Sequence, residues 1–154
     1  FLWSRNPQDW ILPPSTASLL LVVAGNAVGG GLAWLSCSAL AFDRPRSPFI
    51  ATSLMVLGIG VVCAAWGVDL ESWRAGPLQA SATGQGATVF FLLSWQGFFV
   101  AILALMAVYA VLRWMFGHVE SRRPSTFQLI ALFVTYTAGQ GLFSTLLTRL
   151  FPGV

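Results

Sequence analysis

No charged side chain interrupts the chain from Gln85 to Leu112; the next one is Arg113. As a helix, at about 1.5 Å of rise per residue, that stretch is roughly 40 Å long and exceeds the ~30 Å hydrocarbon core of a bilayer. Its run QGATVFFLLSWQGFFVAILALMAVYAVLR is apolar on every side, so no face of the helix suits water. It reads as a membrane-spanning helix. Three further stretches have the same character. The predicted fold is therefore all-α: a four-helix transmembrane bundle with spans at about 16–42, 49–68, 86–117 and 126–150. Residues 1–15 read as an interfacial N-terminal segment and 16–151 as one membrane domain.

Composition agrees. Only 8% of the 154 residues are charged, 56% are hydrophobic, and the mean hydropathy is +0.77. Soluble domains carry about 25% charged residues, so in water this chain would expose too much apolar surface. The net charge of +3 is small and scattered, which excludes a nucleic-acid footprint. All eight basic residues are Arg. Arg44, Arg46, Arg113, Arg122 and Arg123 fall on one side of the predicted spans, and Arg5, Arg74 and Arg149 on the other. The positive-inside rule then places the Arg44 and Arg122 loops in the cytoplasm and both termini outside.

In chain order, Trp3 and Trp10 flank a polar run, as at a membrane interface. Pro13-Pro14 is extended, and Ser15 or Thr16 can cap the first span. That span holds Gly25 and Gly29, a GxxxG pair that lets a second helix approach closely. Asn26 reads as an interhelical hydrogen-bonding group rather than a ligand contact. The Pro-rich turn from Phe42 to Pro48 makes the first two spans antiparallel neighbours. The second span carries Gly58 and Gly60 and ends near Trp66. With Gly25 and Gly29, Gly60 is expected on the small-residue packing face.

Asp69 to Gln85 reads as the longest polar segment. Asp69 and Glu71 invite an acid–base or metal reading. A solvated loop start outweighs it, because no His or third acid accompanies them. In the third span Gln96, beside Trp95 and Gly97, is a mid-membrane amide that should face another helix. His118 lies in a polar loop, where a ligand or relay role has nothing to support it. Ser125 or Thr126 can cap the last span, whose stripe of Thr135, Tyr136, Thr137 and Gln140 needs no ligand, since Thr hydroxyls bond back to their own helix. Cys37 and Cys63 sit in apolar surroundings and read as small hydrophobes. The polar-contact candidates are thus Asn26, Gln96, Thr135 and Gln140, and the packing candidates Gly25, Gly29, Gly60 and Gly97. No catalytic, cofactor-binding or metal-binding residue stands out.

The run from Gln85 to Val100 resembles the YGSTFFxxTGFHGLHV stretch of cytochrome c oxidase subunit III. Gly86, Thr88, Phe90, Gly97 and Val100 match in place, without a gap. Asp43-Arg44 resembles the family's GDR turn. Asp69, Glu71 and Trp73 stand where the family has an acidic, aromatic segment before the motif. Val134 to Ala138 sits where the family has WHFVD, and Gly139 to Leu142 is closer to divergent versions from bacterial chains in which subunits I and III are fused. The similarity covers nearly the whole chain, as the last four of the family's seven spans. The family's orientation matches the one the Arg residues imply. Departures are equally specific: the two motif His positions hold Gln96 and Phe99, and the WHFVD His and Asp positions hold Thr135 and Ala138.

The resemblance implies a non-catalytic, subunit III-like component of a haem–copper oxidase in the bacterial inner membrane. It would pack on subunit I and other oxidase subunits, hold structural phospholipid, and leave haem and copper to its partner. No span contains a His, so axial ligands at depth are lacking. Two other readings stay open: a structural accessory subunit of another respiratory or photosynthetic complex, and a small channel or carrier subunit. The start at Phe1 leaves open a processed chain, a fragment, or the tail of a fused polypeptide.

Overall fold

The computed structural model describes residues 13–41, 47–76, 84–119 and 124–150. The Trp3–Trp10 segment, the Asp43-Arg44 turn and the Arg122-Arg123 loop lie outside the described residues. Among those described, the chain forms four α-helices: α1 (Thr16–Ala41), α2 (Ser47–Arg74), α3 (Gly84–Met115) and α4 (Ser125–Leu150). All four are long and apolar enough to cross a membrane. Four helices of this length and composition are consistent with the predicted helical membrane bundle.

Two boundaries differ from expectation. The second helix runs on through Arg74 instead of stopping near Val68, because its polar end is paired inside the bundle. The third stops at Met115, not Gly117. Gly117 adopts φ +68°. Its N–H donates to the Trp114 carbonyl at 3.0 Å, and the His118 N–H donates to that of Arg113 at 2.8 Å. These two bonds make a Schellman cap, whose left-handed residue is most cheaply glycine.

The exterior is apolar around the bundle: Leu20, Leu21, Phe91, Leu105, Leu129 and Phe143 are all exposed. Asn26, Gln96, Asp69, Thr145 and Arg149 are buried. That reversal of the soluble pattern suits lipid as the surrounding solvent.

Sequential helices run antiparallel. Ser36 donates to the Ala51 carbonyl (2.7 Å), Trp66 Nε1 to the Leu93 carbonyl (3.0 Å), and Arg113 to Thr126 Oγ1 (3.0 Å). α4 closes the ring on α1, where Trp34 Nε1 donates to Thr135 Oγ1 at 2.9 Å. α1 and α3 occupy opposite corners, and α2 and α4 approach across the other diagonal.

The tightest crossing is α1 on α2. A Cβ at Gly25 would lie 2.8 Å from Ala65 Cβ, and one at Gly29 would lie 2.7 Å from the Gly58 carbonyl oxygen. Backbones this close leave no room for a methyl group. Gly60 does not belong to this face: it is exposed, with nothing within 4 Å of a Cβ built on it. Gly58 takes that place. Successive helical residues are about 100° apart, so Gly58 and Gly60 look in nearly opposite directions.

Candidate functional site

The half of the bundle bearing Arg113 packs mainly apolar side chains. Leu40, Met55, Ile59, Leu103, Phe127 and Val134 form one apolar core there. The other half contains a polar seam that begins at the Ser15 end and stops about 15 Å into the bundle, at Asn26 and Gln96.

The outer part of the seam centres on an ion pair. Arg149 Nη2 lies 2.6 Å from Asp69 Oδ1, and both residues are nearly inaccessible, at 6% and 5% exposure. Asp69 is therefore not a solvated loop residue. It sits inside α2, on the face turned to α4. Its Oδ2 accepts from Thr145 Oγ1 at 2.9 Å. Arg149 also donates to Ser72 Oγ (3.0 Å), Ser18 Oγ (2.8 Å) and the Ser15 carbonyl (3.3 Å). Three helices thus share one guanidinium. Trp73 is buried with Val89 and Leu93.

Local helical spacing makes this cluster. Thr145 and Arg149 are one turn apart on α4, as are Asp69 and Ser72 on α2. Glu71, two residues from Asp69, points away and is exposed, as is Arg74. The two carboxylates do not meet, and no acid–base pair arises between them. Opposite charges at one level in two spans, each with a hydroxyl residue three or four positions away, were the available sequence signal. A local hydropathy profile does not register it, because the pair joins two helices far apart in the chain.

The inner part holds the predicted amides. Gln96 Nε2 donates to the Thr137 carbonyl at 2.9 Å, joining α3 to α4. Contrary to the interhelical bond expected of it, Asn26 Nδ2 donates within α1, to the Val22 carbonyl one turn back, at 2.9 Å. Gly141 lies between them: a Cβ there would be 2.8 Å from Gln96 Nε2 and 3.3 Å from Asn26 Oδ1. Trp66 floors the region, and Gly97 is the position on α3 that receives its ring, 2.7 Å from a Cβ built there.

The remaining candidates lie elsewhere. Thr135 is exposed, accepts from Trp34, and donates to the Ala131 carbonyl at 2.9 Å. Gln140 is half-buried, with Oε1 unpartnered among the described residues. It is one turn from Tyr136, whose ring packs 5.6 Å from that of Phe99. Cys37 and Cys63 are partly buried free thiols. Among the described residues no three His, Cys, Asp or Glu side chains gather.

The arrangement can hold helices together through polar contacts and can accommodate a very small polar guest. Its seam does not cross the bundle, because the apolar core blocks the far half. Compared with known family models and with curated proteins, the sequence matches none.

Proposed function

We propose that this chain is a non-catalytic, subunit III-like membrane component of a haem–copper terminal oxidase. It packs on subunit I, holds phospholipid, and supports aerobic electron transport while dioxygen reduction takes place in its neighbour. Haem and copper belong to that neighbour. In this reading the chain resides in the bacterial inner membrane with both termini periplasmic.

The reading rests on the Gln85–Val100 resemblance and on one observation at the surface. Tyr136 stands near the middle of α4 and is 55% exposed. Tyrosine ordinarily faces lipid at the membrane interfaces, where its hydroxyl reaches water. At mid-span a lipid-facing hydroxyl has no partner, which costs free energy. Another polypeptide over this face removes that cost. Gln140, one turn along, and the Trp95–Phe99–Tyr136 aromatic series enlarge the same face. A free-standing channel is disfavoured because the polar seam ends against the apolar core.

Purification of the chain from native membranes in mild detergent tests this. Haem absorption should co-migrate with it, and Tyr136→Ala combined with Phe143→Ala should reduce the haem recovered. Recovery with a haem-free partner would move the assignment to another complex. Recovery alone, with no partner, would remove the accessory role.

A further inference from the structure

We propose that the inner end of the polar seam is a binding site for a single water molecule, which donates to Asn26 Oδ1 and Gln96 Oε1. Asn26 and Gln96 are 3% and 5% exposed, and neither side-chain oxygen has a hydrogen-bond partner among the described residues. Their amide orientations are set by the other end. Each NH₂ group already donates to a carbonyl, that of Val22 or Thr137. Turning either amide over would put oxygen against oxygen. The guest must therefore be a hydrogen-bond donor or a small cation.

Size limits the guest as well. Asn26, Gln96, Asp69, Gly141 and Thr145 border a cavity of about 10 Å³. That is close to the smallest space that holds one water. Gly141 keeps it open, since a methyl group there would press on both amides. Charge then separates water from a small cation. The Asp69 carboxylate is already neutralised by Arg149 at 2.6 Å, so a cation would be buried without a counter-charge. Water is neutral, and its two protons match two free acceptors. The site draws α1 and α3 together, although their backbones do not approach.

Solid-state NMR of the full chain in lipid bilayers tests it directly. Magnetisation passed from water protons should reach the side-chain amides of Asn26 and Gln96 early, and Ala33, Met55 and Val134 late. Equally slow transfer to both groups overturns the proposal. A thermodynamic cycle gives a second reading. Asn26→Leu and Gln96→Leu should each lower the folded-to-unfolded ratio about tenfold, and the double substitution by clearly less than the roughly hundredfold product, since the shared guest is lost only once while each amide's own carbonyl bond is lost separately. Independent costs that multiply to about a hundredfold would show two separate contacts and no shared guest.

Discussion

Arg149 and Asp69 meet at 2.6 Å inside the bundle, near the ends of α4 and α2 that lie on the same side. Both are charged residues that a hydropathy profile assigns to the edge of the membrane. Their burial commits the protein to keeping both. A buried pair adds little over well-packed apolar residues of similar volume, but removal of one partner strands the other charge.

Asp69→Leu or Arg149→Leu alone should therefore cost about 3–5 kcal/mol, and the double replacement far less than their sum. Equilibrium unfolding in mixed micelles measures all three. Simple additivity would mean that the two charges are solvated and do not depend on each other.

The α1–α2 crossing should tolerate no added methyl group. Gly29→Ala places a Cβ 2.5 Å from Val62 Cγ2 and 2.7 Å from the Gly58 carbonyl oxygen. The expected loss is about 1–3 kcal/mol. Gly60→Ala, in open space, should change stability by less than about 0.5 kcal/mol. Equal effects at the two positions would contradict the packing described.

Trp66 and Gly97 should show coupling. Trp66→Phe loses the bond to the Leu93 carbonyl, a cost of about 1 kcal/mol. Gly97→Ala drives a Cβ to 2.7 Å from Trp66 Cζ2, an atom that phenylalanine lacks. Gly97→Ala should therefore be less damaging in the Trp66→Phe background than in the native protein. A cycle of thermal unfolding midpoints decides it, and zero coupling would separate the two residues.

The cap of α3 makes a backbone prediction. Gly117→Ala must hold φ near +68°, which costs about 1–2 kcal/mol for a residue with a Cβ. Asn, which tolerates that region better, should lose less. Gly139→Ala serves as the control, because nothing lies within 4 Å and its φ is not positive. If Gly117→Ala and Gly139→Ala unfold at the same temperature, the cap contributes nothing.

The four spans and their order were legible from residue type alone. Burying apolar groups in lipid and satisfying every backbone N–H and C=O within a helix are local requirements, so long uncharged runs such as Gln85–Leu112 could be placed without knowing any neighbour. Asn26 and Gln96 could likewise be marked as groups needing company. Their company could not be named, nor could Asp69 be seen as buried. The cost of putting a charge inside depends on whether an opposite charge arrives from eighty residues away, which the chain's path alone settles. Gly58 displaced Gly60 for a similar reason: which side of a helix meets its neighbour is set by rotation about its axis, and the packed bundle fixes that rotation.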